Sequence, residues 1–285
     1  MESLIKKLEG PVVVLGGTGF IGGHLVSFLK KERRDVYFNT KHDSKEVIEE
    51  KKPKTIFNCA GQGVGIGQPT VKDFFDANFS FVEESLRHAF ENGCSVFIQA
   101  GSAAEYGDAL VGPKEEDRVL KPTSLYGASK AAASSLIWFY GKTLGKRVAN
   151  LRFYNVYGAG DKPSRLASVL VREGREGRFP SFKNEHSCYD FVHVEDVCRA
   201  FVYAALGLKE EHYGESFNIG GDVRTLGEIA KYAKRVFKIG EEAQFDSRAP
   251  LEKWAAESHK AEQHLGFKSE ISFLNGLKRL ARGKD

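Results

Sequence analysis

Apolar runs that read as strands alternate with stretches of helical period over the first half of the chain. The runs are Pro11 to Leu15, Asp35 to Asn39, Thr55 to Cys59, Ser95 to Ala100 and Lys146 to Phe153. Between them, Phe20 to Leu29, Ser44 to Lys51, Val71 to Phe90 and Ser124 to Leu144 carry helical patterns. Strands alternating with helices predict a doubly wound α/β fold, a parallel sheet with helices on both faces, over residues 1–160. After Gly158 the regularity fades. Ala159 to His186 is rich in Gly, Pro, Arg and Lys, and helical period returns at Thr225 to Phe237 and Ser272 to Arg282, so 161–285 is expected to form a smaller second lobe. There is no internal repeat and no low-complexity tract.

Three local patterns carry chemistry. The first strand leads into Gly16-Gly17-Thr18-Gly19-Phe20-Ile21-Gly22 and then a helix. Glycines at 16, 19 and 22 let the chain turn tightly, bring backbone N–H groups to a pyrophosphate at the helix N-terminus, and pack helix on strand. The strand Ser95 to Ala100 ends in a small-residue turn bearing Ser102, at the sheet end where such folds bind ligands. Tyr126 and Lys130, four apart, share one helix face. A free phenol titrates at about 10; a fixed ammonium nearby is expected to lower that value and make proton transfer near neutral pH feasible.

With Asn58-Cys59-Ala60-Gly61, Tyr106-Gly107, Leu151 to Gly158, Tyr189 to Val197, Phe217 to Gly220 and Lys260 to Phe267, these motifs run nearly the whole chain in order. It resembles the extended short-chain dehydrogenase/reductases that act on nucleotide sugars. That resemblance implies a Rossmann-type NAD(P)-binding domain over 1–160, a segment near 190–220 that returns to it, and a C-terminal substrate-binding lobe. It implies Ser102, Tyr126 and Lys130 as catalytic residues. Gly16, Thr18, Gly19, Phe20, Ile21, Gly22, Ala60, Gly61, Lys130 and Phe153 are implied cofactor contacts, and Ser102, Tyr126, Asn155 and Arg248 substrate contacts. His193 reads as a packed structural histidine. Tyr189 departs from the arginine usual before this aspartate, which leaves Arg165, Arg178 or Lys183 to rebuild a diphosphate grip.

The cofactor is decided near the end of the second strand, where a NAD site usually places a carboxylate for the ribose 2′-hydroxyl. Here the chain reads Asn39-Thr40-Lys41-His42. A 2′-phosphate would meet Thr40 and Lys41 rather than repulsion, which favours NADP, with NAD the alternative. Lys41 as a plain solvated lysine, with Asp43 making the adenine contact, stays open. Relatives that dehydrate sugars carry an Asp-Glu pair directly after the catalytic hydroxyl, and those that epimerise and reduce use a cysteine two places on; Ala103 and Ala104 remove both. Reduction of a nucleotide-linked 4-keto-sugar remains, with 4-epimerisation as the alternative. A regulatory NADP-binding protein without turnover typically lacks the tyrosine or the lysine, and both are present.

Composition narrows the picture further. The 42 basic and 38 acidic residues give a net charge of only +4, so no nucleic-acid arm is expected. Cys59, Cys94, Cys188 and Cys198 show no paired or metal-binding spacing and are expected to be free thiols. Met1 to Lys7 is too polar for a signal sequence, and no run approaches the ~20 apolar residues of a membrane span; a cytoplasmic protein is expected. The helices Val71 to Phe90 and Ser124 to Leu144, the second carrying Ala131-Ala132-Ala133-Ser134-Ser135, are expected to form a homodimer contact, unless the second helix is buried in its own domain.

Overall fold

The computed structural model describes residues 1–39, 44–63, 69–107 and 115–283. In β1 (Val12–Leu15), Val12 and Val14 enter the core on one face of the sheet, Val13 and Leu15 the core on the other, and all are fully buried. Successive side chains leave a strand on opposite faces, so an unbroken apolar run must be covered twice. The helices that cover it follow in order: α1 (Glu2–Ile5), α2 (Phe20–Lys30), then β2 (Val36–Phe38), α3 (Ser44–Lys51) and β3 (Thr55–Asn58). Next, α4 (Val71–Phe75) runs through a π-helical segment, Asp76–Ser80, into α5 (Phe81–Glu91). After β4 (Val96–Ser102) and a 3-10 turn, Ala103–Tyr106, come α6 (Leu125–Trp138), a second π segment, Phe139–Thr143, and β5 (Val148–Phe153).

The second half contributes β6 (Asn155–Tyr157), α7 (Leu166–Arg175), β7 (Cys188–His193), α8 (Val194–Gly207), β8 (Ser216–Ile219), β9 (Asp222–Thr225), α9 (Leu226–Phe237), β10 (Lys253–Trp254), α10 (His259–Leu265) and α11 (Phe273–Ala281). Among the described residues the main sheet is parallel, in the order β2-β1-β3-β4-β5-β8. Leu25 and Leu29 of α2, Phe201 of α8 and Leu265 of α10 seal one face; Ile48 of α3, Leu86 of α5 and Ile137 of α6 seal the other. Each such side chain contributes about 1.5–3 kcal/mol relative to exposure. A smaller sheet, β10-β7-β6 with β9 antiparallel to β7, carries α7, α9 and α11 on a core of Tyr157, Leu170, Phe191, Ile229 and Phe273.

One expectation changes. The Gly- and Arg-rich stretch before His186 contains a regular helix, α7, whose Ala167, Leu170 and Gly174 are buried. Gly174 obscures the stripe in the sequence but is needed there, since a Cβ would lie 2.4 Å from the Phe237 ring. In α6, Ala131, Ala133 and Ser134 are buried within the chain itself. The apolar residues that stay exposed sit at the ends of the helix pair: Val71, Leu125, Trp138, Phe139 and Leu144. All four cysteines are free thiols, and burial pushes those of Cys59 and Cys94 up to about 12. No described helix is long and apolar enough to cross a membrane.

Candidate active site

Two turns at the carboxyl ends of neighbouring strands build the site. After β1, Gly16 adopts φ +74°, and a Cβ there would lie 2.6 Å from the Ala60 nitrogen, so the β1 and β3 turns touch backbone to backbone. A Cβ at Gly22 would likewise lie 2.2 Å from the Gly16 carbonyl oxygen, so the glycine lets α2 close onto its strand. Asn39 Oδ1 accepts the Gly16 N–H at 2.6 Å and locks the turn. Gly19 caps α2 with no side-chain hydrogen bond, so the first N–H groups of the helix remain available to an anion. Phe20, Ile21, Gly61 and Phe153 line the adjoining cleft, Thr18 and Gly19 lie exposed at the turn, and Ala60 donates its N–H to Asn58 Oδ1. This cradle fits a dinucleotide pyrophosphate. Thr40, Lys41 and Asp43 lie outside the described residues.

After β4 the chain turns through Ser102, whose Oγ accepts from Ala104 N at 3.2 Å. The start of α6 is set by Ser124, whose Oγ accepts from Gly127 N at 3.0 Å. Gly127 then allows contact: a Cβ would sit 2.3 Å from the Ala104 carbonyl oxygen. That close approach sets Tyr126 beside Ser102 in the cleft. One turn on, Lys130 is buried and donates to the Ala100 carbonyl at 3.0 Å. Ser102, Tyr126, Lys130, Phe153 and Asn155 line one cleft of about 440 Å³, together with Lys162, Arg165, Tyr189 and Trp254.

Electrostatics correct one expectation. Burial pushes the Tyr126 phenol above its ordinary value; the hydrogen bond to Ser102 and the charge of Arg165 pull the other way, and Glu105 pushes it further up. Lys130 is not among the charges acting on that phenol; its ammonium donates to Ala100, and burial lowers its own pKa against Glu105 and Cys59. The tyrosine is therefore held as an acid.

The remaining candidates separate. Asn155 donates to the Asp190 carbonyl at 3.0 Å from the wall of the cleft. Arg248 is not brought there: its side chain is 92% exposed and pairs with Asp246. Arg178 and Lys183 pair on the surface with Glu173 and Glu252, which leaves Arg165 as the arginine lining the cleft among the described residues. Tyr189 donates to Glu252 at 2.7 Å. His193 is buried, stacks edge-on against Tyr157, and accepts the Glu195 N–H at the start of α8. Asn78 went unread in the sequence: fully buried in the first π segment, it donates to Gln62 O and Ser129 Oγ, and its Oδ1 faces Gly61 beside Lys130. An amide at a buried position of an otherwise amphipathic helix was the available signal.

The model of the NAD dependent epimerase/dehydratase family matches residues 12–220. The chain belongs to that family. It is thus an NAD(P)-dependent enzyme of a family whose members include epimerases, dehydratases and reductases of nucleotide sugars. A putative UDP-glucose 4-epimerase of Methanocaldococcus jannaschii is 27% identical over 94% of this chain and 96% of its own length. A trifunctional UDP-glucose 4,6-dehydratase, 3,5-epimerase and UDP-4-keto-L-rhamnose reductase of Arabidopsis thaliana is 28% identical over 74% of this chain, which spans 34% of that protein. Among solved structures, UDP-glucose 4-epimerase of Thermotoga maritima with UDP-glucose superposes at a TM-score of 0.83, with 23% identity, over 95% of this chain and 97% of the other. RMD of Pseudomonas aeruginosa complexed with NADPH gives 0.80 at 22% identity, over 95% and 98%. Those structures share the family fold.

Proposed function

We propose that this family member is an NADP-dependent reductase of a nucleotide-linked 4-keto-sugar. One observation carries the reading. The end of β2 presents Asn39, a neutral amide turned onto the glycine turn, where a carboxylate would oppose a 2′-phosphate. An exchangeable NADPH suits net reduction. The Gly16 to Gly22 turn and the N-terminus of α2 would hold the pyrophosphate, and Lys130 the nicotinamide ribose; the bound cofactor supplies a hydride.

Ser102 holds the carbonyl oxygen of the sugar, and Tyr126, kept protonated by burial, donates to that oxygen. Ala103 and Ala104 stand directly after the serine, where relatives that eliminate water carry an Asp-Glu pair, and the turn's one carboxylate, Glu105, is buried against Arg152. Arg165 and Lys162 face the same cleft and suit a diphosphate. We assign the grip to Arg165 rather than Arg248, which lies outside the cleft.

A second reading, NAD-dependent 4-epimerisation, is favoured by the relatives named UDP-glucose 4-epimerase. The test incubates purified protein with NADPH and a panel of nucleotide-linked 4-keto-sugars that includes UDP-4-keto-6-deoxy-D-glucose, following NADPH absorbance, alongside calorimetry of NADP(H) and NAD(H) on cofactor-free protein. Stoichiometric NADPH oxidation and tighter NADP(H) binding are expected, with Lys41→Glu erasing the preference. Protein that purifies with NAD in place, binds NAD more tightly and inverts UDP-glucose without net cofactor change would replace the reductase by the epimerase. NADP binding without turnover on either assay would point to a regulatory role.

A further inference from the structure

Behind the serine turn lies an ion pair that the reaction above does not use. Glu105 is fully buried, Arg152 is nearly so, and Arg152 Nε donates to Glu105 Oε2 at 2.7 Å. Two charges removed from water are tolerated only where the remaining lone pairs and protons find good partners. Here they do. Glu105 Oε1 accepts the Ser102 N–H at 2.8 Å, and Asn150 Nδ2 reaches both carboxylate oxygens at 3.3 Å. Arg152 Nη1 donates to Tyr106 Oη at 2.9 Å and to the Glu116 carbonyl at 3.1 Å.

Ser102 and Glu105 thus form a reciprocal capping box around a 3-10 turn of four residues. A cap alone needs only a neutral acceptor, and on a surface it would be an ordinary turn. This one is charged, inside the protein, and gripped from the neighbouring strand. The strand has also given it room: a Cβ at Gly101 would lie 2.7 Å from Glu105 Oε1 and 2.5 Å from Asn150 Oδ1.

We propose that Glu105 is a positioning residue for the reaction, its carboxylate clamping the Ser102 backbone from behind and so fixing where the serine hydroxyl meets Tyr126 and the reacting oxygen. Arg152 holds the clamp. The inference rests on Ser102, Tyr126 and Lys130 being the reaction centre.

Single substitutions would strand a buried charge, so the test uses charge-free pairs. Glu105→Gln/Arg152→Met keeps an acceptor for the Ser102 N–H; Glu105→Leu/Arg152→Met removes it. Both are expected to fold, since replacing a buried ion pair by apolar groups of similar volume is often neutral. With the panel sugar on which the wild type is most active, the Leu/Met protein should lose roughly 10- to 100-fold in kcat with little change in KM, the cost of a misplaced hydroxyl. The Gln/Met protein should keep most of its turnover. In a Ser102→Ala background the difference between the two pairs should vanish, because there is no hydroxyl left to place. A Leu/Met protein with wild-type kcat, a loss that persists without Ser102, or a Leu/Met protein that does not fold would each overturn the inference and leave the pair a fold element. A wild type inert on the whole panel refutes instead the reductase reading. The clamp is then judged without substrate: the Ser102 amide should exchange with solvent deuterium roughly tenfold faster in the Leu/Met protein than in the Gln/Met protein, and equal rates would reject it.

Discussion

Gly127→Ala adds one methyl group at the point where α6 meets the serine turn. The new Cβ would lie 2.3 Å from the Ala104 carbonyl oxygen, a backbone atom in a 3-10 turn, so no side chain can rotate out of the way. Ordinary contact needs about 1 Å more, and that displacement must fall on the first turn of α6, which carries Tyr126. Helix propensity alone would favour alanine over glycine by about 1 kcal/mol. Overpacking costs about 1–3 kcal/mol and opposes it, so the net stability change is small or unfavourable. Turnover is the sensitive quantity: a 1 Å misplacement of a catalytic group costs on the order of 10²-fold. Steady-state NADPH oxidation on the keto-sugar panel should show a drop of about that size, while calorimetry gives unchanged affinity for the dinucleotide, whose glycine turn at Gly16 to Gly22 is a different one. Wild-type kcat in a folded Gly127→Ala protein would refute the contact between helix and turn as the device that sets Tyr126.

Tyr126→Phe should bind cofactor as the wild type does and lose about 10²- to 10⁴-fold in turnover; retention of more than about a tenth rejects the tyrosine as acid. Trp138 and Phe139, 54% and 45% exposed at the end of α6, are expected to close a homodimer with the neighbouring helix pair. Light scattering at micromolar concentration should give twice the 31.6 kDa chain mass, and Trp138→Glu should halve it; a wild-type monomer rejects the contact. Burial acts against the Glu215 carboxylate, but Lys142 and Lys260 at 2.7 and 2.9 Å carry its pKa down from 4.5 to about 2. With the folded value below the unfolded one, its stabilisation is present above 4.5 and is lost as pH falls towards 2. Acid unfolding of Glu215→Gln should therefore vary less over that range, and an unchanged acid profile would discount the pair.

The strands were legible because a parallel sheet covered on both faces reads as unbroken apolar runs, and Val12 to Leu15 admits little else. Tyr126, Lys130 and Ser102 were legible as a constellation, since helix spacing and strand ends place them without tertiary knowledge. What the chain hid depends on the third dimension. The Asn39 amide turns inward to the glycine turn rather than outward to a cofactor, and Lys130 donates to the Ala100 carbonyl. Gly174 looks like a helix breaker until Phe237 is seen against it. The Ser102-x-x-Glu105 box and its burial against Arg152 went unread, because the arginine comes from a neighbouring strand 47 residues on.

The route of the backbone between the two sheets constrains how such a protein can diversify. β5 passes into β6 through the single residue Tyr154, β7 passes directly into α8, and β8 returns to β9 through Gly220 and Gly221, where side chains would strike Asp190 Oδ2 at 2.4 Å and the Phe191 carbonyl at 2.1 Å. Because the polypeptide shuttles repeatedly across one narrow seam, neither half exists as a contiguous cassette. An exchange of everything after Tyr154 would carry off β8, which belongs to the main sheet, and α8, which covers it.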